Sequence, residues 1–276
     1  MGLKLMYITN NPQVAVIAQK YGVDRVWVDL ETLGKEERQG HIDSVKSHHS
    51  IEDIEKIVPF LNKSEMLVRV NPLNAGSEKE INAVIAAGAD LIMLPMWKSV
   101  EDVQKFLDIV NKRCKTVLLL ETKEAVECLD AVLALGGIDE IHIGLNDLHL
   151  SYKLDFMFEL LANGTVESIC KRISKSQIPY GFGGIARLGC GELPAEKIIQ
   201  EHYRLGSTRA ILSRSFCNAQ QYSTIEEIDD VFAQNMKMLR DYEMQLDKQS
   251  QEDFERNRQS VVKIVRRITE MKAGAK

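Results

Sequence analysis

Eight short apolar runs, seven of them carrying Val, Ile or Leu, recur through the first 212 residues, with amphipathic stretches between them. The runs fall at 3–8, 25–30, 66–70, 91–94, 116–120, 140–143, 180–182 and 208–212. Helical stretches are predicted at 12–21, 51–61, 78–87, 100–112, 123–135 and 195–205, the first opened by Pro12 and stopped by Gly22. Alternation at this spacing means parallel strands joined by right-handed crossovers. The runs are continuously apolar, as parallel strands covered on both faces are. Eight such units in about 210 residues fit a closed (β/α)8 TIM barrel better than an open doubly wound sheet. The expected fold class is therefore α/β.

Beyond Phe216 the pattern changes. Residues 223–246 and 250–271 are charged and helical, with Ile228, Val231, Met236 and Leu239 at helical spacing. The predicted organisation is a barrel over 1–217 and a C-terminal α-helical extension over 218–276. A barrel closed by its own helices offers the apolar stripes of that extension no evident surface, so a homo-oligomer is expected. Charge narrows the partners: 35 Lys plus Arg stand against 40 Asp plus Glu, a formal −5, without the basic stripe that nucleic acid requires. No apolar run reaches the roughly 18 residues of a membrane span, and the N-terminal residues lack a signal-peptide pattern. Five cysteines without a C-x-x-C pair read as reduced thiols, so the expected compartment is the cytoplasm.

Barrel active sites lie at the carboxyl ends of strands, so the residues that end each run are the informative ones. They are Asn10 and Asn11, Asp29 and Glu31, Arg69 and Asn71, Glu121, Asp147, Gly183 and Gly184, and Ser213 with Arg214. Four carboxylates and two arginines on one rim suggest a hard-metal site beside an anion site. Glu121 and Asp147 follow neighbouring strands and can share one ion, with Mg2+ favoured and Mn2+ acceptable for oxygen donors. Alternatively, Glu121 is a helix-start charge and Asp147 an Asx-turn residue. Gly183 and Gly184, with Ser213 and Arg214, end the last two strands, where barrels often bind anions. Lys98 and Lys123 look exposed, which disfavours a Schiff base.

Five segments then carry a resemblance: Val28-Asp29-Leu30-Glu31, Arg69-Val70-Asn71-Pro72, Gly88-Ala89-Asp90 with Leu94-Pro95-Met96, Leu120-Glu121-Thr122, and Ile143-Gly144-Leu145-Asn146-Asp147-Leu148. In that order and at those separations the chain, from about Leu3 to Phe216, resembles the HpcH/HpaI aldolase and citrate lyase β-subunit family. The resemblance implies a TIM barrel with a Glu and an Asp as metal ligands, here Glu121 and Asp147. It also implies that Arg69 contacts the carboxylate and enolate oxygen of the substrate. One departure stands out. Family aldolases often carry His directly after the second-strand acid, where this chain has Thr32. The segment after it holds His41, His48 and His49, three of the six histidines, and His48 or His49 is the expected replacement acid–base.

The expected activity is that of a metal-dependent carbon–carbon lyase, a class II-type aldolase acting beside a pyruvate-like 2-oxo acid. The metal would stabilise the enolate, Arg69 would add fixed positive charge, and Asp29 and Glu31 would orient a water or base. Two alternatives remain at this stage. One is a citrate-lyase-like enzyme acting on a CoA thioester. The other is an inactive barrel that serves as a binding or scaffold protein.

Overall fold

The computed structural model describes residues 2–34 and 49–274. Eight parallel strands close a barrel in chain order: β1 (Lys4–Ile8), β2 (Arg25–Asp29), β3 (Glu65–Arg69), β4 (Leu91–Leu94), β5 (Lys115–Leu120), β6 (Glu140–Ile143), β7 (Tyr180–Ile185) and β8 (Arg209–Leu212). No helix among the described residues is long and apolar enough to cross a membrane. Packing divides the chain into two compact units, Met6–His142 and Met1–Leu5 with Ile143–Lys276.

In Met6–His142 the helices are α1 (Pro12–Lys20), α2 (Ile51–Ile57), α3 (Ser77–Ala86), α4 (Val100–Val110) and α5 (Lys123–Leu133). Their starts are written locally. Asn11 caps α1 by accepting from the amides of Gln13 and Val14, with Pro12 next to it. Ser99 and Asp102 form a capping box on α4. Helix α2 ends earlier than the sequence predicts, because Pro59 has no N–H to continue it and Val58–Phe60 form a 3₁₀ turn instead. Along β2 the residues alternate: Val26 and Val28 are fully buried apolar positions, while Arg25, Trp27 and Asp29 share the other face. That other face is the barrel interior, since Arg25 reaches Glu140 on β6, four strands away.

In the second unit the helices are α6 (Leu145–Ser151), α7 (Glu159–Ala162), α8 (Thr165–Ile173), α9 (Ala195–Arg204), α10 (Ile225–Leu246) and α11 (Gln251–Gly274). Helix α10 is hydrogen-bonded to residues that flank β8 and β1. Asn235 donates to the carbonyl of Phe216 just past β8 (2.7 Å), and Glu243 accepts from the amide of Leu3 just before β1 (2.7 Å). It therefore contacts the chain on either side of the barrel strands of its own unit. Helix α11 packs on α9 and α7, burying Val261, Val265 and Ile268, and Asn257 donates to Glu201 (2.9 Å). The apolar stripes that lacked an evident surface in the sequence find one within the chain itself.

Candidate active site

The site grows from the register of β2 and β3, which places Asp29 beside Arg69 at the last position of each strand. Side chains paired in this way lie on one face and close together. The guanidinium meets Asp29 through two parallel bonds, Nε to Oδ1 and Nη2 to Oδ2, each 2.8 Å. Nη1 lies 3.3 Å from Oε2 of Glu31. Beneath, the indole of Trp27 underlies the guanidinium, 5.2 Å from carbon to ring centre. Burial opposes the charge on Arg69, but Asp29, Glu31 and then Glu121 outweigh it and hold its pKa above the ordinary value. The planar fork is thereby locked in one orientation.

Asp29, Glu31 and Glu121 are all buried, 2–3% exposed. Among the described residues, these three carboxylates gather around Arg69. Glu121 follows β5 directly, and its Oε1 accepts the amide of Met96 at 3.0 Å. Met96 has φ +54, a left-handed conformation that is uncommon for a residue other than glycine. Next to Glu121, the Thr122 hydroxyl donates to the carbonyl of Trp97 at 2.9 Å and accepts from the amide of Ala125 at 3.1 Å.

The second-strand departure from the family pattern has a structural account. The side-chain oxygen of Asn71 accepts from the amides of Thr32 (2.9 Å) and Leu33 (3.0 Å) and from the Thr32 hydroxyl (3.3 Å). Its nitrogen donates to Glu80 at 2.7 Å. Thr32 and Asn71 therefore anchor the chain where it leaves β2, and the Asn71 side chain, expected to bind substrate, is engaged at both ends. Of the two expected acid–bases, His48 lies outside the described residues, as does His41. His49 is described: its Nδ1 accepts the amide of Asp29 at 3.0 Å. A ring nitrogen that accepts an N–H has no proton of its own, so this imidazole is neutral with its proton on Nε2. That tautomer donates at Nε2, and to become cationic it would have to give up the Asp29 bond, so in this arrangement His49 is not a base.

The other candidate residues belong to the second unit. Asp147 sits in the first turn of α6 and is 8% exposed. His149, on the same helix, is buried with Nδ1 3.2 Å from the carbonyl of Leu145. Gly183 and Gly184 lie within β7 rather than after it, at a register shift against β8. Gly183 has φ +53, a backbone conformation that favours glycine, and a Cβ there would press on the tip of Leu145 at 2.8 Å. Gly184 and Ser213 are neighbours, whereas Arg214 is exposed.

Sequence reading missed three groups. Trp27 was findable, since it alternates with Asp29 on β2. The left-handed turn at Met96 leaves no compositional trace. A second cluster, running from buried Arg25 and Glu140 (2.5 and 2.6 Å) through Glu65 (3.0 Å) to exposed Lys115 (2.5 Å from Glu65), uses the first residues of four strands. It was hidden because each residue taken alone looks like a strand-start charge.

A parallel barrel with buried, mutually paired charges at the carboxyl ends of its strands is the architecture of a barrel enzyme. The family model described as HpcH/HpaI aldolase/citrate lyase matches residues 4–156, and the chain belongs to that family of aldolases and lyases. No curated protein sequence matches the chain. Among solved structures it is similar to an HpcH/HpaI aldolase from Desulfitobacterium hafniense DCB-2, at 17% identity and TM-score 0.60 over 77% of this chain and 86% of that one. An HpcH/HpaI aldolase/citrate lyase family protein from Burkholderia cenocepacia J2315 gives 12% and 0.63 over 82% and 95%. Macrophomate synthase gives 17% and 0.54 over 77% of each chain. At these identities the likeness is one of fold.

Proposed function

We propose that the chain is a metal-dependent lyase that makes or breaks a carbon–carbon bond beside a pyruvate-like 2-oxo acid. The observation that carries this reading is the set of buried carboxylates gathered at the rim, where Asp29 and Glu31 close on Arg69 and Glu121 lies near enough to raise its pKa. The donors are hard carboxylate oxygens, the set that suits Mg2+ and Mn2+. Glu121 and Asp147 would hold the ion, which when bound supplies Lewis-acid polarisation of the 2-oxo group.

The residues of the chain do the rest. Arg69 commits Nε and one N–H on each η nitrogen to Asp29 and Glu31, which leaves one N–H on each η nitrogen to grip a substrate carboxylate or oxyanion. Trp27 supports the guanidinium from below and keeps water from it. The amide of Asp29 on Nδ1 orients the His49 ring. Glu31, 3.3 Å from Arg69, orients the water that takes the hydroxyl proton.

Because this reading turns on labilising the carbon next to the 2-oxo group, it can be tested without knowing the second substrate. In D2O with Mg2+ the protein should exchange the methyl protons of pyruvate, followed by proton NMR. Chelation or Glu121→Gln should stop the exchange. Exchange that persists after exhaustive chelation would remove the metal from the mechanism.

A further inference from the structure

We propose that the turn after β4 is a clasp that orients Glu121, and that Thr122 is the residue that locks it. The inference rests on the metal-dependent reading above and deepens it. Two hydrogen bonds make the clasp, and they run between adjacent residues on each side. Met96 N–H donates to Oε1 of Glu121 (3.0 Å), and the next residue, Trp97, offers its carbonyl to the hydroxyl of Thr122 (2.9 Å), the residue after Glu121. Two points of attachment fix both the distance and the rotation of one chain segment against the other. A single bond to the carboxylate would leave its rotation open.

The cost of the arrangement shows that it is held rather than relaxed. Met96 adopts φ +54, where a side chain is strained and glycine is not. Such a conformation persists only when its surroundings impose it. Here they do: Trp97 is 2% exposed and anchors the turn from one side, while the Thr122 hydroxyl holds it from the other. The outcome of the strain is that the Met96 amide points at the Glu121 carboxylate. An amide on Oε1 fixes the rotamer and so sets the direction in which the carboxylate can meet a cation, the usual work of groups that stand behind metal ligands.

The choice of Thr at position 122 follows from the same geometry. Its oxygen caps α5 by accepting from Ala125 (3.1 Å) while its proton goes to Trp97. Asp would serve as a cap equally well but has no proton to give. Thr122 is therefore a positioning residue, acting on the cation through Glu121.

The test is Mn2+ titration by calorimetry of the full chain and of Thr122→Val, Thr122→Asp and Thr122→Ser, with melting of the chelated proteins alongside. Val should weaken Mn2+ binding about 10- to 100-fold, the scale for groups behind a ligand, and Ser should restore it to within a few-fold. Asp should keep the melting temperature of a capped helix and still lose affinity, although its added negative charge by itself favours a cation. If Val and Asp bind Mn2+ as the wild type does, Thr122 is a helix cap alone and the clasp is overturned, whatever happens to melting. If the wild type itself binds no Mn2+, the metal-dependent reading falls and the clasp with it. If Val does not fold, the Asp and Ser variants decide the question.

Discussion

Two charged clusters lie inside the Met6–His142 unit, one at the first residues of the strands and one at the last. At the base, Arg25 and Lys115 face Glu65 and Glu140. At the rim, Arg69 faces Asp29, Glu31 and Glu121. The same residue types thus meet at opposite ends of the strands. In barrels of this kind the amino-end face serves stability and the carboxyl-end face carries the chemistry. The comparison teaches that the end of the strands a charged cluster occupies, more than its residue types, distinguishes a structural plug from a site.

The comparison can be broken first at the base. Arg25 is 1% exposed and bound twice by Glu140, so Glu140→Leu leaves a buried guanidinium short of its main partner. Removing one partner of a buried pair costs about 3–5 kcal/mol, which urea unfolding should read, while Mn2+ affinity of the folded protein stays at the wild-type value. A cost below about 1 kcal/mol would show that the base is not the stabilising end. At the rim, Arg69→Lys replaces a fork locked by Asp29 with a point charge. The rate of pyruvate methyl exchange should fall about 10²–10³-fold, the scale for losing a preorganised donor, with stability changed far less than by Glu140→Leu. An unchanged rate would take Arg69 out of the chemistry.

A smaller effect sharpens the base. Burial tends to raise the carboxyl pKa of Glu65, but Lys115 and Arg25 outweigh it and hold the group below its ordinary value of 4.5. A carboxylate whose pKa is lowered on folding contributes stability in full above its unfolded value and loses it as pH falls through the folded one. Melting temperature should accordingly drop as the pH is taken below about 4.5, and Glu65→Gln should flatten that limb. The same limb in both proteins would remove Glu65 from the acid response.

Much of this was legible in the sequence, and what was not has identifiable causes. The eight apolar runs mark the strands because a parallel strand buried on both faces has no polar period to obscure it. Asp29, Arg69 and Glu121 stand out because each breaks such a run at its carboxyl end. The helix at 225–246 reads as an extension since nothing local says that Glu243 will meet the amide of Leu3, some 240 residues earlier in the chain. Gly183 and Gly184 look like the end of a strand, yet they lie inside β7, where Gly183 takes a positive φ. His49 is visible as a histidine near the rim. Its tautomer depends on the amide of Asp29, a contact that no spacing rule provides. Met96 is silent in the sequence, because strain imposed by tertiary contacts leaves the residue type unmarked.

The central claim is that the carboxylate rim holds one divalent cation. Anomalous diffraction from crystals soaked in Mn2+ and oxalate, a mimic of the enolate, tests it most directly. The account predicts one strong peak bonded by carboxylate oxygens of Glu121 and Asp147, with oxalate on the ion and within reach of Arg69. Absence of a peak there at saturating Mn2+, or a peak on the base carboxylates Glu65 and Glu140 instead, would contradict it.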